Sequence, residues 1–460
     1  MIKKILIVGS GPAAFGFLNG IKDKSKYNFF LIDNSDIKRR NEGCTFEKNF
    51  LTGSRLQLEN SGNPLISNHF GGFSNFWGGT YDDPHKKIKD MFSNINIDID
   101  KYLKITDNLV PRYIFSNNDK SINNTLVYSS ILKDQILRKL SNNGLKIKKS
   151  EIATNQSRID KFSHEKICNF CEEVESFCRE DSIWNSKQYI NNLIDSGDIK
   201  YLKNSYLDKF KENDNKVVCE IFTDGTKSDY IFEKLILATG PISTAEIVLK
   251  SQVIEKVNIK TTDLVQVPFI KFFKTEKKKH SFSDLFSSII VLDHLTYQQY
   301  YFFSKTVLKL SRNAFKLSRL LNFFPDTFLS IVGGIFVTFE SNISSEIEMS
   351  YYNNSIVSRN INGSHVKRKR ILNRLFKVFL KSKMLLLLPL KKTYLDGTSY
   401  HNGAQFPIHE NASKKTSDKY GRISNLQNTH IVDSSVLPDI NTGPGVKLII
   451  ANSYRIGSSF

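Results

Sequence analysis

The chain is short of several things, and each shortage removes a class of protein. It has 460 residues but only five cysteines, an odd number. A disulfide-framed secreted module needs more of them and in pairs, so a reducing, cytoplasmic setting is expected. There is no stretch of about 18 clean apolar residues, the length a membrane-spanning helix needs. Residues 323–339 come nearest, but Pro325 and Asp326 interrupt them. The apolar run within residues 1–9 is too short for a signal peptide and flows straight into a glycine motif that needs a strand there. Internal repeats and long low-complexity tracts are also missing. Acid is scarce in one region: residues 301–394 carry sixteen Lys and Arg against four Asp and Glu, and so hold most of the net charge of +19. Such an excess solubilises a chain or draws it to phosphate, nucleic acid or an anionic membrane.

What is present reads as an ordinary globular protein too long for one core, hence two domains. Residues 5–8 are a short β-branched run between lysines and glycines, expected as a buried parallel strand. Residues 12–21 read as a helix and 29–32 as a second strand. Further strands are expected at 216–222, with a hairpin turn at Asp224-Gly225, at 235–238 and at 429–432. Helices are expected near 243–251 and at 446–456. Residues 255–395 are more aromatic, more basic and poorer in glycine.

Between the first strand and helix lies Gly9-Ser10-Gly11-Pro12-Ala13-Ala14, which fits G-x-G-x-x-G/A. Gly9 permits the tight turn, Gly11 lets the backbone approach a pyrophosphate, and the small Ala14 lets helix and strand pack. Free N–H groups and the helix dipole favour the phosphates. Asp33 ends the second strand at the spacing where a carboxylate binds ribose hydroxyls. The loop alone does not separate FAD from NAD, although the acid argues against NADP.

Four further blocks do. Gly71-Gly72-Phe73-Ser74-Asn75-Phe76-Trp77-Gly78-Gly79 resembles the flavin-lining segment of the glucose–methanol–choline (GMC) oxidoreductases, in the form of their sugar-oxidising branch. Leu237-Ala238-Thr239-Gly240 is similar to that family's strand–glycine–helix segment near the adenosine. Tyr400-His401-Asn402-Gly403 resembles its histidine block. Gly421-Arg422-Ile423, Asp433-Ser434-Ser435-Val436-Leu437-Pro438 and the last helix, preceded by Gly445 and opening at Val446, match its C-terminal signature in order and spacing. The resemblance covers about 1–85, 195–255 and 395–460, and none of 255–395.

The resemblance implies an α/β protein with a discontinuous Rossmann-like FAD-binding domain (1–254 and 396–460) and a second α+β substrate domain (255–395). It implies oxidation of a CH–OH group on a small-molecule alcohol, with a sugar or sugar-containing intermediate favoured. His401 stands at the base position, and imidazole suits that task because it titrates near neutrality. The implied flavin contacts are Gly9, Gly11, Ala14, Asp33, Gly72, Ser74, Asn75, Trp77, Gly78, Gly240, Asp433, Ser434, Gly445 and Val446. Two departures matter. The family's second His or Asn is replaced by Pro444, leaving Asn441 and Asn402 as candidates by proximity in sequence alone. Phe76 stands where some members attach FAD to a histidine, so the FAD is expected to be non-covalent. Two alternatives stay open: a flavin enzyme with altered chemistry, and a non-catalytic, membrane-attached FAD-binding protein.

Cys168, Cys171 and Cys178, with His164 nearby, offer four ligands at most, and structural thiols are preferred to a metal site. In 303–321, Lys305, Lys309, Arg312, Lys316 and Arg319 fall on one helical face opposite Phe303, Val307, Leu310, Ala314, Leu317 and Leu321. Residues 365–392 add Lys367, Arg368, Lys369 and Arg370. Such helices pack with a solvated basic side or dock peripherally on an anionic membrane; no recognition motif supports nucleic acid.

Overall fold

Two apolar strands flanking one small-residue helix make a βαβ unit, because a parallel pair needs a crossover. The computed structural model describes residues 2–33, 58–59, 66–67, 69–75, 77–113, 138–149, 151–153, 183–273, 288–292, 296–302, 331–393, 399, 401–423 and 426–460. In it Lys3–Val8 (β1), Pro12–Gly20 (α1) and Tyr27–Ile32 (β2) form that unit. Ile5, Leu6 and Ile7 are wholly buried, as a parallel strand covered on both faces requires.

Three more strands complete a parallel sheet: Ile199–Leu202 (β3), Lys234–Leu237 (β4) and Thr429–Ile431 (β5), in the order β5-β4-β1-β2-β3. From β1 the chain moves outward through β2 to β3, then crosses to β4 and β5 on the other side. The order therefore reverses between β1 and β4, and ligands of open parallel sheets bind outside the strand ends at such a point. An antiparallel sheet of Ser205–Asn213, Lys216–Thr223 and Thr226–Phe232 is inserted before β4. Its second turn is at Asp224 and Gly225, with φ of 49° and 82°, the mirror-image turn that suits hairpin twist.

Three further helices position the site and the basic surface: Pro241–Lys250 (α2), His365–Lys381 (α3) and Val446–Gly457 (α4). α1 and α4 meet backbone to backbone. A β-carbon on Gly16 would strike Ser453 and the Ile450 carbonyl, one on Gly20 the Tyr454 carbonyl, and one on Gly457 the Phe17 carbonyl.

The 255–395 stretch builds largely antiparallel sheets. One runs Asn402–Gly403, Lys256–Thr261, Glu346–Tyr352, Ser355–Ile361, Leu58–Glu59; the other centres on Leu264–Lys271 and Val332–Phe339. Both recruit short strands from outside the stretch: Leu58–Glu59 and Asn402–Gly403 in the first, Lys146–Lys149 in the second. The α/β class with a parallel dinucleotide-type sheet and a second α+β part is thus what the chain adopts. α3 lays Leu372, Leu375 and Phe379 on the second of these sheets, where the Phe379 and Phe269 rings are 5.6 Å apart.

α3 ends at Lys381, and Met384–Leu386 turns back as a strand against Leu264–Lys271. The basic run at its start is not uniformly solvated. Arg368 shares the buried face with Leu372 and Leu375, as helical spacing dictates. Its NH1 lies 2.5 Å from Asp263 Oδ2, and Ser345 Oγ donates to Asp263 Oδ1 at 2.6 Å. Among the described residues no helix is long and apolar enough to cross a membrane. The 303–321 helix, Phe76, His164, Cys168, Cys171 and Cys178 lie outside the described residues.

Breaking a buried ion pair from one side leaves the other charge uncompensated. Arg368→Met is expected to lower unfolding free energy by about 3–5 kcal/mol, read from urea midpoints. A loss under about 1 kcal/mol, the size of a surface pair, would show that the pair is not buried in solution.

Candidate functional site

The site begins where β1 ends. Gly9 takes φ of 98°, and its α-carbon lies so close to β4 that a β-carbon would sit 2.5 Å from the Ala238 carbonyl. Only glycine satisfies both conditions. Gly11 is different. It begins α1 with an ordinary φ of −74°, and an added β-carbon would meet nothing among the described residues nearer than Gly71 O at 4.0 Å. Neither strain nor internal crowding demands glycine there, so a group approaching the loop from outside is what the missing side chain accommodates. α1 also starts with no side-chain cap and no acid in its first turn, leaving its first N–H groups for an anion. Ala14 is buried against the sheet.

Asp33, at the end of β2, accepts from Ser10 N at 2.9 Å and from Ser10 Oγ. Ser10 Oγ in turn accepts from Gly71 N at 2.7 Å. The acid thus fixes the shape of the glycine loop and joins it to the second glycine block. There Ser74 Oγ donates to Gly71 O at 2.6 Å, and Asn75 Nδ2 donates to Phe70 O and Gly72 O, each at 2.9 Å. Trp77 Nε1 donates to Trp184 O at 2.9 Å, and its ring packs with Val446 against Phe15, Tyr81 and Ile450. Gly78 follows, half-buried. Ser186, which belongs to no motif, is fully buried; its Oγ donates to Ser10 O at 2.9 Å and its N to Ser74 Oγ at 3.1 Å. Nothing but a helix-start pattern marks it in the sequence.

Gly240 opens α2 with φ of 79°. Asp433, brought alongside, accepts from Thr244 Oγ1 at 2.6 Å and Ser435 N at 2.8 Å. Burial pushes its carboxyl up, while hydrogen bonds from Ser435, Thr244 and the Gly240 N–H oppose the shift. Ser434 Oγ donates to Asn402 O at 2.9 Å. These bonds set the final segment against both α2 and the His401 block.

His401 N donates to Ser399 Oγ at 3.1 Å, and Thr262 N donates to His401 O at 3.1 Å. His401 is half-buried, and loss of water around its imidazole drives the pKa down to about 4; the Thr442 backbone pulls weakly the other way. Its Nδ1 is buried without a hydrogen-bond partner among the described residues. The ring is neutral at ordinary pH.

Both asparagine candidates spend one amide hydrogen on a nearby backbone carbonyl and keep the other. Asn441 Nδ2 donates to Pro444 O at 3.0 Å, and Asn402 Nδ2 to Ser399 O at 3.3 Å. His85, which matched no motif, also reaches this segment. Its N donates to Asn441 Oδ1 at 3.3 Å and its Nε2 lies 2.5 Å from Thr442 Oγ1. Beyond Pro444, Gly445 and Val446 open α4, which has no side-chain cap and no first-turn acid. Lys447 in that first turn is buried, paired with Asp83 and Asp107 at 2.6 Å each. Among the described residues no group of His, Cys, Asp and Glu is arranged to hold a metal.

A second histidine, His430, is also held near pH 4 by burial, with Nδ1 2.9 Å from the Tyr420 carbonyl. Unfolding restores both rings to an ordinary 6.5. The unfolded chain then binds more protons between these values, so stability is full above about pH 6.5 and is lost as pH falls toward 4, by about 3 kcal/mol per ring. Urea midpoints at pH 7 and pH 5 should differ in that sense. The double variant His401→Asn/His430→Asn should flatten the difference, and an equally steep loss in the variant would put its origin elsewhere.

No family model and no curated protein matches this sequence. Solved structures do share its fold. Pyridoxine 4-oxidase from Mesorbium loti superposes with a TM-score of 0.66 at 10% identity, covering 100% of this chain and 99% of that one. An FAD-dependent oxidoreductase from Chaetomium thermophilum gives 0.66 at 10%, covering 99% and 98%. A formate oxidase of Aspergillus oryzae RIB40 gives 0.66 at 9%, covering 99% and 97%. Over its whole length, and with hardly a residue in ten in common, this chain has the fold of those flavin oxidoreductases.

Proposed function

We propose that the chain is an FAD-dependent oxidoreductase acting on the CH–OH group of a small-molecule alcohol, a sugar or sugar-containing intermediate by its resemblance to the GMC sugar-oxidising branch. The observation that carries this reading is a convergence. The glycine loop with room at Gly11, the uncapped start of α4 and the neutral His401 are tied into one site by the 433–446 segment. The folds shared with FAD-dependent oxidoreductases support it.

The chain's own groups divide the work. The α1 start and Gly11 hold the pyrophosphate, Asp33 and Gly240 flank the adenosine end, and Gly72, Ser74, Asn75, Trp77 and Gly78 line the ring. FAD, when bound, supplies the hydride acceptor. His401, neutral and desolvated, takes the hydroxyl proton of the substrate. The α4 N-terminus faces negative charge with its unpaired N–H groups. Pro444 contributes no donor, so proton transfer rests on His401 with no second side chain at that position. FAD is held non-covalently, since Phe76 has no atom to bond it.

Purified protein should be yellow, and acid precipitation should release all its flavin as FAD; colour left in the pellet would refute the non-covalent reading. Gly11→Val should fold, since the chain leaves room for the side chain, yet bind no flavin. A yellow Gly11→Val variant would mean that the pyrophosphate lies elsewhere.

His401→Ala should keep FAD and lose about 10²–10⁴-fold in the rate of flavin reduction by an alcohol that bleaches the wild type. Because the ring is held near 4, wild-type reduction should be level from about pH 6 to 8 and decline only toward pH 4. A rate that climbs through pH 6.5 would show that the imidazole is solvated, and an unimpaired His401→Ala would remove it from the chemistry.

A further inference from the structure

α3 and the turn after it present a second surface, independent of the flavin reading. From residue 365 to 393 there is no Asp or Glu. Arg368 is turned inward to Asp263. Lys367, Lys369, Arg370, Lys377, Lys381, Lys383 and Lys391 are exposed, and their side chains make no ion pair among the described residues.

A solvated basic face would be polar throughout, and this one is not. Val366 and Leu380 lie on the outward side of α3, 63% and 54% exposed, opposite the buried Leu372, Leu375 and Phe379. At 100° per residue, Val366 and Leu380 fall inside the arc swept by Lys369, Lys377, Arg370 and Lys381. Phe272 joins them at the end of the helix. It is 61% exposed, and its N donates to Lys383 O at 2.9 Å, which sets the ring beside the last basic turn. The amphipathic stripe that serves the core is complete without these three side chains, and their apolar surface is left open among the described residues.

We propose that this edge, Lys377, Lys381 and Lys383 around Leu380 and Phe272, is a docking surface for an anionic lipid bilayer. Two requirements of a bilayer are met together: bases at headgroup phosphates, and apolar side chains that enter the boundary between headgroups and acyl chains. Nucleic acid calls for the first and gives Leu380 and Val366 nothing to contact. A protein partner would have to be acidic and apolar at once over a convex helix. A bilayer matches both features because it is laterally continuous, charged at its surface and apolar just beneath. Long lysine stems suit such a boundary, lying along apolar surface with the ammonium in water.

The test is sedimentation of the full chain with phosphatidylcholine vesicles, with and without phosphatidylglycerol. Wild type should bind only the anionic vesicles and leave them at high salt. The double variants Lys377→Glu/Lys381→Glu and Phe272→Ser/Leu380→Ser should each lower the partition coefficient by about tenfold or more, with unfolding midpoints kept. Phe272→Trp, should either double variant fold poorly, ought to gain blue-shifted tryptophan emission on anionic vesicles alone. Three outcomes overturn the proposal: equal binding to neutral vesicles, wild-type partition by either folded double variant, or duplex DNA held as tightly as vesicles and insensitive to Phe272→Ser/Leu380→Ser.

Discussion

α1 and α4 pack at a distance that only main chain allows, and the candidate site is arranged around that contact. Gly16, Gly20 and Gly457 each place bare backbone against a carbonyl or main-chain atom of the other helix. This lays the start of α4 beside the glycine loop that starts α1, so two uncapped helix N-termini serve one site. The same contact carries the 433–446 segment across the sheet end. Through Ser434 and Thr442 that segment then determines where His401 sits. Any side chain at the crossing would part the helices and disperse groups that are themselves unchanged.

Electrostatics at the site follow from burial more than from charge. His401 and Asp433 are both pushed toward their neutral forms by loss of water. For Asp433 the cost is offset by donors from Thr244, Ser435 and Gly240, and the result is a brace. For His401 one ring nitrogen has no such partner among the described residues, and the ring is held neutral. Lys447 is the exception, a buried charge at a helix end that disfavours cations, and its two carboxylate partners explain how it stays there.

The sequence made the parallel sheet legible because its signals are local. A β-branched run, a glycine triplet, an acid at fixed spacing and the hairpin pair Asp224-Gly225 each carry their own physics. The blocks at 71–79, 400–403 and 433–446 were legible as a resemblance, and the structure brings them to one place. What escaped was long-range. Ser186 and His85 act through partners 176 and 357 residues away, and no spacing rule reaches so far. Arg368 looked like one of four solvated bases until the helix phase set by Leu372 and Leu375 turned it inward. The sheets of 255–395 recruit strands from 58–59, 146–149 and 402–403, which a change of composition along the chain does not reveal.

The parallel sheet also has a consequence for biosynthesis. β1, α1 and β2 are made well before the segments they pack with: β4 lacks its outer neighbour until β5 at 429–431 has been made, and the glycine face of α1 stays bare until α4 follows. A nascent chain can begin to fold its antiparallel sheets as they emerge, while the glycine-loop end of the parallel sheet waits for residues 429–457. A ligand that bound only the finished site would draw that assembly forward by mass action.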